Sequence, residues 1–254
     1  MTRHGRTEFT VKLVETEAEL RAAQRLRYDV FVTELGGGGD LVDHEQQLEQ
    51  DLFDPFFDHM IVTTKEDNAV IGVYRLLRGS QAEAAGGFYS ENEYDLSCLK
   101  SSGRRLLELG RSCLHPDYRG GVAMHCLWNG LADYVAVHEI DILFGVASFH
   151  GTDIETLAAP LSLLHDRHLA PQQLRVRAQD DGYQRMDMID IDTLDRRAAM
   201  VQVPSLIKAY LRLGGCVGEG AYVDHKFNTT DVCLIMDTAQ LNARQAKIYG
   251  RQPT

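Results

Sequence analysis

"GRRLLELGRSCLHPDYRGGVAMHCLWNGLADYVAVHEIDILFGVASF", residues 103–149, reads as a strand, a glycine turn, a long helix and a second strand. The first strand, "GRRLLELGRSCL", carries an acid and a base, Glu108 and Arg111, inside an apolar run. Side chains three apart on a strand point to opposite faces, so a direct pairing of the two needs a bulge, which Gly110 would permit. The turn is His115-Pro116-Asp117-Tyr118-Arg119-Gly120-Gly121, and the helix starts near Val122. The run "IDILFGVASF" after the helix is apolar enough for a strand buried on both faces. A strand entering a glycine turn and then a helix gathers unpaired backbone N–H groups and the positive end of a helix dipole, a combination that binds phosphate. The turn is not a P-loop, because no Gly-Lys-Ser/Thr follows, and it lacks the third glycine of the dinucleotide fingerprint. By itself it supports a purely structural turn as well as a phosphate cradle.

Outward from this stretch, "EFTVKLV" (8–14) predicts a first strand, and Thr16 with Glu19 resembles a capping box opening a helix over residues 17–35. "GGGGD" (36–40) ends that helix. It is either a lid that orders on substrate binding or a tolerated loop. "DHMIVTTKEDNAVIGVYRLLRG" (58–79) is a hairpin turning at Glu66-Asp67-Asn68. Beyond the central stretch, "DIETLAAPLSLLHDRH" (153–168) predicts a helix kinked at Pro160, and "QLRVRAQ" (173–179) a strand. "PSLIKAYLRLGG" (204–215) is a helix with proline near its start and glycine beyond its end. "GAYVD" (220–224) and "DVCLIMD" (231–237) are short strands. The order predicts a mixed α/β sheet with helices on its faces. No repeat or long linker divides the chain, so one domain over 1–254 is expected, its core at about 9–165 and a C-terminal extension at about 166–254.

The 254 residues are 44% hydrophobic and 25% charged, an ordinary globular composition. A formal net charge of −11 argues against binding nucleic acid through phosphate neutralisation. The five cysteines (Cys98, Cys113, Cys126, Cys216, Cys233) are scattered, odd in number and without a Cys-x-x-Cys pair, which fits reduced thiols in a cytosol. No signal-like core opens the chain, and no apolar run approaches the roughly 20 residues that cross a bilayer. A cytoplasmic protein, at most peripheral at the inner face of a membrane, is expected. His165 and His168 lack a third ligand, so no metal is expected.

The order antiparallel sheet, strand, glycine turn, helix, strand resembles the Gcn5-related N-acyltransferase fold, and "YRGGVAM" (118–124) a degenerate form of its Arg/Gln-x-x-Gly-x-Gly/Ala loop. Over about residues 21–235 the chain is similar to the ornithine N-acyltransferases, relatives of the acyl-homoserine lactone synthases. The matching stretches are "LRYDVFVTELGG", "DLFDPFFDHMIV", "VYRLLRG", "GGFYSENEYDLS", "LELGRSCLHPDYR", "LFGVASFHGTD" and "LRLGGCVGEGAYVDHKFNTTDVCL". The resemblance implies an α/β (α+β) fold with a mostly antiparallel sheet. It also implies transfer of a 3-hydroxyacyl chain from an acyl-carrier protein to the α-amino group of L-ornithine, the first step toward ornithine lipid. Nothing is then permanently bound: the donor's phosphopantetheine comes and goes, and transient contact with a membrane surface is expected because the product is amphiphilic.

The synthase pattern falls on Arg27, Phe31, Asp51, Asp54, Arg75, Glu108 and Arg111. It departs after Phe31, where Glu34-Leu35-Gly36 replaces an aromatic residue. Attack of an amine on a thioester needs a neutral amine, an oxyanion stabiliser and a proton for the leaving thiol. Glu108 is the candidate base, or else a structural acid. Asp51 and Asp54 are candidates for ornithine's ammonium groups, or serve the turn before Pro55. Arg27, Arg75 and Arg111 suit a carboxylate, or tie acidic loops to the sheet. A backbone N–H near Ser112 would hold the oxyanion. Cys113 is a better core residue than nucleophile. Ser148 and Phe149 line the acyl chain or only the core. Arg119, Gly120 and Gly121 would hold the phosphate, with Arg104, Arg105, Arg175 and Arg177 offering a basic patch to an acidic carrier protein.

Overall fold

The computed structural model describes residues 8–240. The chain runs β1 (Phe9–Leu13), α1 (Glu17–Arg27), a π-helical segment (Tyr28–Glu34), β2 (Asp58–Thr64), β3 (Val70–Arg78) and α2 (Gly79–Ala85). It continues through β4 (Tyr94–Asp95), α3 (Ser97–Lys100), β5 (Leu106–Leu114), α4 (Val122–Val137), β6 (Ile142–His150), α5 (Ile154–His168), β7 (Arg177–Ala178) and β8 (Tyr183–Gln184). It closes with α6 (Arg196–Gln202), α7 (Ser205–Arg212), β9 (Cys216–Val217), β10 (Ala221–Asp224) and β11 (Thr229–Asp237). These residues gather into two compact units, one formed by 8–77 and 109–139, the other by 78–108 and 140–240. Within the described residues the chain passes from one unit to the other after Leu77, Glu108 and Glu139.

In the first unit the strand order is β1-β2-β3-β5. β1 pairs antiparallel with β2 from Phe9↔Thr64 to Leu13↔Met60, and β2 with β3 from Asp58↔Leu76 to Thr63↔Val70. The hairpin turns where expected: Asn68 takes φ +57, and Thr64 and Asp67 bond each other across it. Thr16 caps α1 by accepting the Glu19 N–H at 3.3 Å, while the Glu19 carboxylate takes the N–H of Glu15, one residue earlier than in a capping box. The helix expected to run to residue 35 instead widens into a π-helical segment after Arg27. Such widening re-aims side chains away from the 3.6-residue period and is frequent at functional sites. A core of Ala23, Leu26, Val30, Ile61, Val73 and Cys113 lies between the helix and the strands. α4 approaches β1 and β2 so closely that a β-carbon on Gly130 would stand 2.5 Å from Val11 and 3.1 Å from Met60 Sδ.

In the second unit the order is β5-β6-β11-β10-β8, with β9 also on β11. β5 pairs parallel with β6 from Leu106↔Ile142 to Glu108↔Phe144, whereas β6–β11, β10–β11, β8–β10 and β9–β11 are antiparallel. A parallel pair requires a crossover, and the strand–turn–helix–strand order of residues 103–149 supplies it. The architecture is therefore the mixed α/β fold that the element order predicts, its sheet mostly antiparallel as the resemblance implies. The strand expected over 173–179 shrinks to Arg177–Ala178, paired with β4. Helix α5 continues through Pro160. Helices α2 and α6 were not anticipated from the pattern, because seven-residue helices are too short to display a periodicity.

Candidate functional site

In the first unit, the end of α1, the loop after it, β3 and β5 bring three guanidiniums and three carboxylates together. Arg27, fully buried, donates to Asp54 Oδ1 at 2.9 Å and pairs with Glu49. Arg75, also fully buried, donates to Asp54 Oδ1 at 2.6 Å and to Asp51 Oδ2 at 2.8 Å, with its guanidinium 4.3 Å from the centre of the Phe57 ring. Gln24 Nε2 holds the other Asp54 oxygen at 2.9 Å, and His59 Nε2 bonds the Asp54 carbonyl at 3.0 Å. Arg111 donates to Glu49 Oε1 at 3.0 Å, approaches Asp51 Oδ2 to 3.5 Å, and lies 5.9 Å from the Phe31 ring centre.

Burial by itself would raise the Asp54 carboxyl, but the Arg27 and Arg75 charges overcome it and hold the group down at about 2. Burial opposes ionisation of Glu49 as well; Arg111, Arg27 and Arg75 pull it below the usual carboxylate range. His59 is pushed down by burial, which keeps it neutral at physiological pH. Asp51 serves the turn before Pro55, one of the two roles considered from sequence: Oδ1 accepts the N–H groups of Phe53 and Asp54, while Oδ2 accepts from Arg75. Exposure ranks the members. The side chains of Arg27 and Arg75 are 0% accessible, those of Arg111 and Asp51 17% and 20%. A small polar ligand reaching this cluster meets Arg111 and Asp51 first.

Arg111, one residue past Gly110 in β5, has φ +51, a left-handed turn within the strand. A left-handed turn at a non-glycine residue costs energy and persists only where its surroundings hold it, as the bonds to Glu49 and Asp51 do here. Ser112 follows, half-buried, and Cys113 is core, its thiol pushed up to about 12 by burial, which disfavours the nucleophilic thiolate.

Past β5, Arg119 precedes Gly120, whose φ of +72 suits glycine, and Gly121 is the N-cap of α4. Among the described residues no side chain caps this 16-residue helix. A β-carbon on Gly121 would come no closer than 4.0 Å to other protein atoms, so its lack of a side chain leaves an open approach to the helix end. The Arg119 guanidinium donates Nε to the Leu114 carbonyl at 3.0 Å and Nη1 and Nη2 to the two oxygens of Glu34, each at 2.6 Å.

In the second unit, Glu108 is 1% exposed and accepts the Tyr89 N–H at 2.8 Å, the Ser90 N–H at 2.6 Å and the Ser90 hydroxyl at 2.5 Å. On β6, Phe149 is buried, while Ser148 is exposed and bonds Asp231. Burial raises Asp231 to about 6, against hydrogen bonds from Ser148 and Thr229. Glu93, Asp224 and Asp231 each bring an oxygen within 4.8 Å of the others, the one grouping among the described residues with the makings of a cation site. The arginines of the expected basic patch have acidic or carbonyl partners: Arg104 with Asp237, Arg105 with Asp141, Arg177 with Asp180, and Arg175 with the Ala170 carbonyl.

Sequence reasoning missed Glu49, which ties Arg27 to Arg111, and Tyr89 and Ser90, which grip Glu108. Glu49 stands two residues before Asp51 in an acidic loop, but no pattern separates a buried acid from its solvated neighbours. Among the described residues all five cysteines are free thiols, and no helix is long and apolar enough to cross a membrane.

The chain is similar to known proteins. A family model for the acetyltransferase (GNAT) domain matches residues 26–129. The chain is 57% identical over 249 residues to an L-ornithine N(alpha)-acyltransferase of Rhodobacter capsulatus, covering 96% of this chain and 95% of that protein. A second relative of the same name, from Brucella abortus, is 40% identical, covering 95% and 89%. Among solved structures, FeeM, an N-acyl amino acid synthase from uncultured soil microbes, matches with a TM-score of 0.53 at 11% identity, over 94% of this chain and 98% of that one, a likeness of fold. With a sheet of this topology and near full-length identity of this degree, the chain is an acyltransferase of the GNAT fold and belongs to the L-ornithine N(alpha)-acyltransferase family.

Proposed function

We propose that the protein transfers a 3-hydroxyacyl chain from the thioester of an acyl-carrier protein to the α-amino group of L-ornithine, giving lyso-ornithine lipid. The observation that carries this reading is the 57% identity, over nearly the whole chain, to a relative named for that acceptor. The ionic cluster supports it. Ornithine brings one carboxylate and two ammonium groups, and the accessible edge of the cluster offers one guanidinium, Arg111, and one carboxylate, Asp51. Bidentate binding to Arg111 suits the acceptor's carboxylate, and Asp51 suits an ammonium. Arg27, Phe31, Asp54 and Arg75 then position those two residues from within, with Glu49 fixing Arg111.

The acceptor amine arrives as an ammonium and must lose a proton before it attacks. Glu108, directly or through water, takes that proton. The C–N bond forms at the thioester carbonyl, and a backbone N–H near Ser112, next to the left-handed Arg111, holds the oxyanion. The C–S bond then breaks, and the leaving thiolate takes the second amine proton. Arg119, Gly120 and Gly121 with the uncapped start of α4 fit a single phosphate, such as that of a phosphopantetheine arm. Ser148 and Phe149 line the acyl chain. The reaction runs in the cytoplasm, with contact at the inner membrane face as the amphiphilic product leaves.

The test is turnover of purified protein with L-ornithine and either a 3-hydroxyacyl-carrier protein or acetyl-coenzyme A, read by the product's mass. Acylated ornithine from the carrier donor is expected; turnover with acetyl-coenzyme A alone would overturn the reading.

A further inference from the structure

The site proposed for the donor's phosphate already has an anion in it, and that anion is the protein's own. Arg119 engages all three guanidinium nitrogens: Nε on the Leu114 carbonyl, Nη1 and Nη2 fork-to-fork on the Glu34 carboxylate. This is the bidentate geometry with which arginine recognises phosphate. Arg119 therefore cannot take a phosphate in that manner while Glu34 stays. The neighbouring donors point the same way, since among the described residues the N-terminus of α4 has no side-chain cap and Gly121 leaves it open.

Resting on the phosphate reading given above, we infer that Glu34 is a latch that occupies the donor's phosphate position on Arg119 and is displaced when the phosphopantetheine arm docks. One singly charged carboxylate gives way to one phosphodiester, so the electrostatic change at Arg119 is small and the exchange is reversible. The pair is nearly half exposed on both sides, which makes it a weak competitor and not part of the folded core.

What the latch moves follows from its place in the chain. Glu34 is the last residue of the π-helical segment, and the next three residues are held back onto that segment: Leu35 N–H on the Val30 carbonyl, Gly36 N–H on Val32 and Gly37 N–H on Phe31, at 3.1, 3.0 and 2.8 Å. The same segment begins beside Arg27 and carries Phe31 against Arg111. Displacing Glu34 thus loosens residues 34–39 and the Phe31 contact with the proposed acceptor residue. Donor docking would in this way open the acceptor's approach, so that the donor binds first.

The experiment compares the wild type with Glu34→Gln and Arg119→Gln. Steady-state kinetics are run with the same acyl chain on carrier protein and on coenzyme A, and hydrogen exchange of residues 34–39 is followed with and without 4′-phosphopantetheine. Removing an exposed competitor of this strength is expected to lower the donor KM about twofold to fivefold. The change should fall on KM, with either donor, while Arg119→Gln raises KM. The arm alone should speed exchange in residues 34–39 of the wild type, and Glu34→Gln should show that faster exchange without it. If Arg119→Gln raises the donor KM but Glu34→Gln leaves it unchanged or raises it too, the latch is wrong and the phosphate site stands. If neither substitution moves the donor KM, the phosphate reading itself fails and takes the latch with it. An effect confined to coenzyme A would place Arg119 on the nucleotide phosphates and likewise overturn the proposal.

Discussion

Substituting Asp54→Asn removes one negative charge from between two fully buried arginines, and the consequence can be worked from the structure. Asp54 accepts from Arg27, Arg75 and Gln24, and its carboxyl is held at about 2 against an ordinary 3.8. A carboxyl with a depressed folded pKa contributes stability above its unfolded pKa and loses it as pH falls through the folded one. The difference of about 2 pH units corresponds to roughly 2–3 kcal/mol, present near neutrality and lost between roughly pH 4 and pH 2. At pH 7 the cost of the substitution is larger, about 3–5 kcal/mol, because Arg27 and Arg75 keep their burial and lose a shared partner. In addition, the new amide opposes the Gln24 amide donor to donor. Urea unfolding of both proteins from pH 2 to pH 8 tests this. The wild type should lose stability steeply on the acid side, and Asp54→Asn should be less stable at pH 7 with a flatter acid limb. A loss under about 1 kcal/mol at pH 7 with an unchanged acid limb would refute the view that this cluster is a mutually dependent ionic unit.

Asp231 titrates in the opposite sense. Its carboxyl is raised to about 6, so the stability it brings is present below pH 3.8 and lost as pH rises through 6. Asp231→Asn should therefore raise the thermal midpoint at pH 8 relative to wild type but not at pH 4; a lower midpoint at pH 8 would contradict the burial argument. Glu108→Gln should cut kcat by about 10²–10⁴ with the fold retained, and a loss smaller than about fivefold would remove Glu108 as the base. Gly130→Ala improves helix propensity by about 1 kcal/mol, yet its β-carbon meets Val11 at 2.5 Å. Overpacking of that kind costs about 1–3 kcal/mol, so a lower denaturation midpoint is expected, and a stabilised variant would show that α4 and β1 can move apart freely.

Local chemistry made much of this protein legible before any coordinates. Period-two and helical patterns, a turn at Asn68, a cap at Thr16 and the glycines at 120 and 121 are encoded within a few residues of where they act. They were enough to order the main strands and helices, whereas Arg27, Asp51, Asp54, Arg75 and Arg111 were named through the resemblance to the synthases. Two kinds of feature escaped. Short elements such as α2, α6 and the two-residue strands have too few residues to carry a period, and the helix after Arg27 changes its own period by becoming π-helical.

The second kind is pairing across the chain. Sequence named Arg27, Asp51, Asp54, Arg75 and Arg111 but left open whether each served a ligand or the scaffold, since that choice rests on burial and partners. Only the folded chain sets Arg27 and Arg75 at zero exposure while Arg111 and Asp51 keep an accessible edge, adds Glu49 between them, and gives Glu108 its donors from Tyr89 and Ser90. The left-handed backbone of β5, too, falls on Arg111 and not on the neighbouring glycine, held there by the carboxylates around it. Residue types and spacing determine what chemistry is possible here. Which groups remain free to perform it is decided by distances between residues far apart in the chain, and those distances exist only once it has folded.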